Sequence, residues 1–505
     1  MPSNTSHSIK MPSIGERLVW IGRLRKILVD REETLNRVLR EELAKSQQEA
    51  LTADLMPLLA ACRWHERRAK RLLLPKRVRH QAWWQLGQKH WLYRVPLGHV
   101  AIIATWNYPL QLLGIQIIQA LVAGNRVTVK PSENARASQS ALLQAFWQAG
   151  VPRSILRSVS ATREAGKEML SQQAFDHVVF TGSTEVGQQV ASITANMMTT
   201  STLELSGRDS AIVLDDADPE LAAQAIWEAI ELNGGQTCMA PRRALVSRNI
   251  YNALLQALSR LAASAQPRRL VTEGQAEFVH HLASQAIEQG GFSLSGILEP
   301  PEDGWIRPII VGNCPPDAAL VAGEHFGPAL AVIPVDSVEQ ALQIHHQCDQ
   351  HLATSVFTRH PRRARAIMPL LGSGTITFND VVRPAAHPAT SILGNGASGW
   401  GASQGSMGLL EMTRPMQVST TAAWARPSLP TMTRKSFNRL RSIVLWTYGG
   451  KSRRSLYRPP TAAWSLEDAT QKSDQSNSDY RSARTPDKGN GQPDQFKTTE
   501  LRQPK

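Results

Sequence analysis

The sequence predicts an α/β protein in which a doubly wound parallel sheet is followed by a second βα-rich block. Two observations carry this reading. From Arg94 onward, short apolar runs alternate with helix-length segments: Val100 to Ala104, then Leu110 to Ala123, then Val127 to Val129 after the tight turn Gly124-Asn125-Arg126. A strand, helix, strand order implies parallel pairing with the helix crossing one face of the sheet. The order then repeats through Ser138 to Gly150, His177 to Phe180, Glu185 to Met198 and Ala211 to Leu214, so the first domain reads as a Rossmann-type dinucleotide binder.

In chain order, residues 1–13 are mostly polar and are expected to be flexible. Ile14, Leu18, Ile21, Leu28, Leu35, Leu39 and Leu43 recur at near-helical spacing with charges between them, which predicts an opening pair of amphipathic helices packed by their apolar faces. These helices and the alternating segments make up a first domain over 14–205. A second domain over 206–398 contains the apolar runs Ala244 to Val246, Ala329 to Val332 and Thr375 to Phe378. Beyond Pro427 the chain turns to Ser, Thr, Pro, Gln and basic residues, and such a segment, 427–505, is expected to be disordered because it buries too little surface to offset its chain entropy.

Composition sets limits on function. With 505 residues and 42% hydrophobic content the chain supports two or three domains and a large core. The formal charge of +14 points to nucleic acid until its location is considered: residues 431–458 hold eight Lys or Arg and no acid. The body is therefore only mildly basic, and no nucleic-acid partner is expected. The tail segment Ile443-Val444-Leu445-Trp446, flanked by Arg and Lys, is instead a candidate for weak contact with an anionic membrane surface. Four scattered cysteines (Cys62, Cys238, Cys314, Cys348) form no C-x-x-C pair, which fits a reducing, cytoplasmic setting and predicts no metal.

One cysteine stands apart. Cys238 lies among small and polar neighbours in Asn233-Gly234-Gly235-Gln236-Thr237-Cys238-Met239-Ala240-Pro241-Arg242, company that suits a nucleophile better than a core thiol. Such a thiolate is expected to be favoured by nearby positive charge, a helix N-terminus or a base. A carboxylate, Glu204, lies thirty-four residues upstream, and an amide, Asn107, further upstream in Thr105-Trp106-Asn107-Tyr108-Pro109. Together they offer a nucleophile, a general base and an oxyanion donor. Gly182-Ser183-Thr184-Glu185-Val186-Gly187 follows a strand-like run and opens a helix, where backbone N–H groups and the helix dipole can receive a pyrophosphate.

These segments, with Pro96-Leu97-Gly98, Val129-Lys130-Pro131-Ser132-Glu133, Glu324-His325-Phe326-Gly327-Pro328 and Phe378-Asn379-Asp380, stand in the order and spacing of the aldehyde dehydrogenase superfamily, which the chain resembles from about residue 15 to about residue 420. The resemblance implies an aldehyde-dehydrogenase-like α/β fold: a Rossmann-type NAD-binding domain, an α/β catalytic domain and a small bridging β-hairpin. The hairpin would be formed around residues 83–95 and by 399–426, with Trp83, Trp84, Trp91 and Tyr93 at an oligomer contact, a homodimer being expected. It implies NAD(P)-dependent oxidation of an aldehyde to an acid through a thioester on Cys238. Asn107 would be the oxyanion donor and Glu204 the water-activating base. Lys130 and Glu133 would hold the adenosine ribose, and Glu324 and Phe326 the nicotinamide end. Gly182, Ser183, Gly187, Trp106 and Leu205 would line the cofactor. Glu133 would repel a 2′-phosphate, favouring NAD with NADP as the alternative.

The sequence also departs from that family. Leu203-Glu204-Leu205-Ser206-Gly207-Arg208 carries Ser206 where a glycine is usual and Arg208 where a lysine is usual, and strain is expected at Ser206 if the glycine needed a positive φ. Ser391-Ile392-Leu393-Gly394 replaces the usual Pro-Phe-Gly-Gly. These departures keep open a catalytically silent, nucleotide-binding scaffold or a coenzyme-A-dependent reductase. Tyr108, Leu112 and Leu113 beside Asn107 point to a hydrophobic mid- to long-chain or aromatic aldehyde.

Overall fold

The structure, a computed structural model, describes residues 11–79, 85–425 and 433–448. Trp83 and Trp84 therefore lie outside the described residues, as does most of the basic tail. The chain forms two units, Met1–Ala425 and Arg426–Lys505.

Within the first unit, the predicted alternation is present. A six-stranded sheet runs in the order Gly399–Trp400, Thr200–Glu204, His177–Thr181, His99–Ile103, Arg126–Lys130, Leu156–Ser158. All neighbours are parallel except the late-arriving Gly399–Trp400, which pairs antiparallel with Thr200–Glu204. The chain builds outward on one side of His99–Ile103, then returns to build on the other. The carboxyl ends of His99–Ile103 and His177–Thr181 thus flank a topological switch point, where open α/β sheets bind ligands.

A second sheet has seven strands, ordered Phe292–Ser293, Ile309–Gly312, Ala329–Val335, Arg243–Ser247, Ser210–Val213, Ala353–Phe357, Thr375–Phe378. It is parallel except for its first pair. The expected division at 205/206 falls in the connection between the two sheets. A three-stranded antiparallel ribbon joins Lys76–Val78, Gln88–Pro96 and Thr413–Thr421, with Trp91 paired to Val418 and Tyr93 to Met416.

The predicted opening helices are Ile14–Asp30 and Glu32–Leu43, the first begun by a capping box in which Ser13 and Glu16 satisfy each other's backbone N–H groups. Their apolar faces, through Ile21, Leu24, Leu28, Leu35 and Leu39, share one core with the first sheet. At the centre of that core runs Gln111–Ala123, buried along its whole length. A helix buried on every side needs cover on every side. Its cover comes chiefly from the helix Met56–Leu73, with Gly405–Glu411 and Ile14–Asp30, and its anchor from a π-helical stretch, Ala50–Leu55. There Asp54 accepts from the backbone N–H groups of Leu110 and Gln111 at 3.1 and 3.3 Å, satisfying two otherwise orphaned donors at the helix start. Lys45 balances the Asp54 charge at 2.5 Å, with both side chains essentially excluded from solvent, and its ammonium lies 4.3 Å from the centre of the Tyr108 ring.

Residues 434–448 correct the expectation of disorder across the tail: Arg434–Tyr448 is a helix. Phe437, Leu440, Ile443, Val444 and Tyr448 recur at three- and four-residue spacing, an amphipathic pattern that composition alone conceals. No helix among the described residues is long and apolar enough to cross a membrane.

Replacing Asp54 by Ala would strand the buried Lys45 charge and uncap Gln111–Ala123. The expected cost is about 3–5 kcal/mol, read as a lowered urea midpoint; a midpoint within experimental error of the parent would remove this anchor from the account.

Candidate active site

The chain around Cys238 is shaped by backbone geometry that few residues adopt. Asn233, Gly234 and Gly235 all take left-handed conformations, with φ of 55°, 61° and 68°. A Cβ at Gly235 would come within 2.5 Å of the Gly327 carbonyl carbon, so the loop can pass there only as glycine. Arg242 holds the turn from beneath. Its guanidinium, 1% exposed, donates to the carbonyls of Gly235, Gly327 and Thr237 at 2.9, 3.0 and 2.9 Å. Asn233 ties the turn to the first sheet, donating through Nδ2 to the Asn107 and Gln236 carbonyls, both at 3.1 Å. Asn107 donates in return from its own Nδ2 to the Gln236 carbonyl at 3.1 Å. The loop bearing Cys238 and the loop bearing Asn107, 131 residues apart in the chain, are thereby one hydrogen-bonded assembly.

Two cavities meet at Cys238. One, of about 620 Å3, is lined by Tyr108, Leu112, Met239, Val382 and Ile392, with Glu49, Glu228, Arg268 and Arg383 among its charged residues. The other, of about 420 Å3, is lined by Trp106, Asn107, Gly182, Ser183, Glu204, Leu205, Glu324 and Phe326. Cys238, Leu112 and Ile392 border both. Leu113, expected beside Leu112, instead packs in the helical core, because one residue further along a helix turns the side chain to another face.

Glu204 ends the strand Thr200–Glu204. One carboxylate oxygen accepts from Thr181 Oγ1 at 3.2 Å and Gln116 Nε2 at 3.3 Å; the other, Oε1, is buried with no partner among the described residues. Burial pushes its pKa up to about 7, opposed by the Thr181 and Gln116 hydrogen bonds. The Cys238 thiol is pushed up to about 12, chiefly by burial and then by the Glu204 and Asp209 carboxylates, which outweigh Arg242. This corrects the expectation of a resting thiolate favoured by positive charge. Arg242, the nearby cation, turns its Nη1 and Nη2 to carbonyls, so the resting sulfur is a thiol with the Glu204 carboxylate on the same cavity.

Of the residues expected around a cofactor, Trp106, Gly182, Ser183, Leu205, Glu324 and Phe326 line the second cavity. Trp106 and Phe326 meet edge to face with ring centres 5.8 Å apart. Ser183 caps the helix Thr184–Asn196, whose N-terminal end thus opens on this cavity. Gly187 does not line it: a Cβ there would lie 2.4 Å from Leu205 Cδ2, so this glycine lets the helix close on the strand. Lys130 and Glu133 also lie off the cavity lining. Lys130 packs along Gly166, and Glu133 pairs with Arg163 at 2.7 Å. That pairing offsets the negative charge expected to repel a 2′-phosphate.

Ser206, expected to be strained, is absent from the residues at positive φ, so the missing glycine costs nothing there. Arg208 donates from Nε to Gln350 Oε1 at 2.9 Å and to the Ala322 carbonyl; Gln350 Nε2 donates in turn to Thr184 Oγ1 at 2.5 Å and Glu324 Oε2 at 3.2 Å. Sequence reasoning passed over Gln116 and Gln350. Gln116 carried a signal, being one of three glutamines in a largely apolar helix, each of which needs a partner when buried; Gln350 carried none.

Comparison with known proteins gives the family and the fold. The model of the aldehyde dehydrogenase family matches residues 4–418. The 4,4'-diapolycopene-4,4'-dial dehydrogenase of Cytobacillus firmus is 30% identical over 83% of this chain and 95% of its own length. A probable coniferyl aldehyde dehydrogenase of Pseudomonas aeruginosa is 31% identical over 80% of this chain and 86% of its own. The crystal structure of Mycobacterium tuberculosis aldehyde dehydrogenase complexed with NAD+ superposes with a TM-score of 0.76 at 26% identity, covering 82% of this chain and 87% of that one.

Gln116→Leu removes a donor that favours the Glu204 carboxylate. The pKa should rise, and any rate limited by the ionised form should show its acid limb moved from near pH 7 to higher pH. An unmoved limb in a pH–rate profile would separate Glu204 from that step.

Proposed function

The chain belongs to the aldehyde dehydrogenase family, and from that premise we propose that Cys238, Glu204 and Asn107 carry the oxidation of an aldehyde to a carboxylic acid. The observation that bears most weight is the position of Cys238 at the meeting of two cavities, with Glu204 lining one of them. Aldehyde enters from the larger cavity and the sulfur adds to its carbonyl carbon, the thiol proton passing to Glu204. The developing oxyanion is met by the second hydrogen of the Asn107 amide and by the Cys238 backbone N–H.

The smaller cavity suits a dinucleotide: a helix start with small Gly182 and Ser183 for phosphate, the Glu324 carboxylate for ribose hydroxyls, and the flat faces of Trp106 and Phe326 for a ring. NAD, when bound, accepts the hydride that leaves the tetrahedral adduct. A thioester on Cys238 remains; Glu204, having given up the thiol proton to solvent, removes a proton from water as it attacks and passes it to the departing sulfur, so that the acid leaves and the thiol is restored. Aldehyde, water and NAD+ give acid, NADH and a proton. A thioester passed to coenzyme A would need no carboxylate with a free, buried oxygen, which favours hydrolysis. The compensated Glu133 leaves NADP as a second acceptor. The apolar lining supports a hydrophobic or aromatic aldehyde, in keeping with the relatives named for diapolycopene-dial and coniferyl aldehyde.

The exposed edge strand Thr413–Thr421 offers unpaired backbone to a second copy, supporting a homodimer. The helix Arg434–Tyr448 combines four basic residues with an apolar stripe, supporting contact with anionic lipid.

Over a panel of aliphatic and aromatic aldehydes with either NAD or NADP, the parent protein should form reduced cofactor and Cys238→Ala should form none. Asn107→Ala should lose about 100- to 1,000-fold in rate, and Glu204→Gln, which leaves both proton transfers without a base, should lose turnover and slow the burst of reduced cofactor as well. Undiminished turnover in Cys238→Ala would end this mechanism. Removing residues 426–505 should abolish binding to phosphatidylserine vesicles while leaving turnover and a dimeric sedimentation mass intact; equal vesicle binding by the shortened protein would refute the membrane role, and a monomeric mass for the parent would refute the dimer.

A further inference from the structure

A cluster of three histidines lies outside the catalytic cavities. His345 ends the helix Val338–His345, His346 caps it, and His351 stands just ahead of the strand Ala353–Phe357. Their ring centres are 4.9, 4.9 and 5.5 Å apart, and one ring nitrogen from each falls within 4.8 Å of the other two.

The hydrogen bonds fix the tautomers of two of these rings. His345 Nε2 donates to the Leu371 carbonyl and His346 Nε2 to the Leu370 carbonyl, both at 2.8 Å. An imidazole whose N–H is committed to a carbonyl keeps its lone pair on the other nitrogen, and metal-binding histidines are commonly oriented in this way. At His345 that lone pair accepts from Ser210 Oγ at 3.0 Å, a hydroxyl that itself accepts from Arg243 Nε at 2.7 Å, so a metal at His345 Nδ1 must displace the Ser210 hydroxyl. His351 Nδ1 is buried and has no hydrogen-bond partner among the described residues. A buried, unsatisfied ring nitrogen facing two other imidazoles calls for something that hydrogen bonding within the protein does not supply.

From this arrangement we propose that His345, His346 and His351 form a three-nitrogen binding site for a divalent transition-metal ion of the zinc class. Neutral imidazoles select such ions over magnesium or calcium, which prefer oxygen. Charge does not help. Arg243 reaches the His345 carbonyl at 2.9 Å and opposes a cation more than the Asp349 carboxylate favours one at His351. Binding therefore rests on coordinate bonds. Zinc–nitrogen bonds of about 2.0–2.1 Å require the nitrogens to draw in to about 3.4 Å from one another. His346, exposed, and His351, half-buried, have room to move, and His346 leaves a path for entry. Such an ion would stiffen the segment carrying Gln350, whose amide holds Glu324 at the edge of the smaller cavity. The search for paired cysteines missed this site because its sequence signal is a bare His-His-x-x-x-x-His.

The test is titration of full-length protein, free of any polyhistidine tag, with zinc in competition with a chromogenic chelator at neutral pH. Cys238→Ser serves as the background, to silence the thiol that borders both cavities. One equivalent should bind, His346→Gln and His351→Ala should each weaken it at least about tenfold, and X-ray absorption should show nitrogen neighbours at about 2.0–2.1 Å. The proposal fails if no zinc binds at micromolar concentration, if both histidine variants bind like their parent, or if binding is present only while Cys238 is intact.

Discussion

The Arg242 guanidinium is the interaction on which the site rests. A left-handed turn buried between two sheets must find a partner for each carbonyl it buries. Backbone N–H groups of Gln236 and Ala240 serve the Asn233 and Thr237 carbonyls, and Arg242 accepts the burial of its own charge to serve Gly235 and to tie it to Thr237 and to Gly327 of the neighbouring chain segment. Desolvation pulls its pKa down to about 10, which still leaves it charged at neutral pH. The Phe326 ring, 5.5 Å from the guanidinium, covers one side, and the ring it covers with is also a wall of the smaller cavity. One buried cation therefore presents Cys238 and braces the surface proposed to receive the nicotinamide.

The same enclosure sets the protonation states. Removing water raises the pKa of any group that ionises to an anion, and both the thiol and the carboxylate feel it. They feel it unequally in consequence: Glu204, with Thr181 and Gln116 donating to it, stays near 7, while Cys238, between two carboxylates and with little help from Arg242, rises to about 12. A pair poised in this way holds its proton on sulfur until a substrate carbonyl is present to share the charge of the adduct. A base whose pKa lies near the working pH can take that proton, release it to solvent, and then take a proton from water.

Much of the fold was legible because period and order are strong signals. The strand at His99–Ile103, the helix at Gln111–Ala123 and the strand at Arg126–Lys130 each fall within a residue or two of the pattern that announced them. The candidate site was legible where a residue's chemistry was odd for its surroundings, as with Cys238 among small polar neighbours. It was illegible where a role depends on a partner far away in the chain. Nothing local to Glu133 reveals Arg163, nothing near Gly187 reveals the Leu205 side chain that needs its space, and the polar stretch around Leu440 hides an amphipathic helix because composition discards spacing.

The departures from the family pattern looked, one at a time, like damage. Taken together in space they compensate. Arg208, longer than the usual lysine and forked, reaches both the Ala322 carbonyl and the Gln350 amide, and that amide bridges Thr184 at the helix start to Glu324. A lysine's single ammonium could not serve two acceptors in a fixed plane in this way. Ser206 sits at ordinary φ, and its carbonyl accepts from Ser398 Oγ at 2.8 Å, joining the strand end that bears Glu204 to the returning segment before Gly399–Trp400. Ile392 takes its place between both cavities as an apolar wall beside Cys238. Decay in an idle scaffold would leave unsatisfied polar groups and gaps at these positions. What stands at Ser206, Arg208 and Ile392 is a different set of side chains with contacts of their own, and that is the arrangement expected of a working enzyme with a substrate pocket of its own.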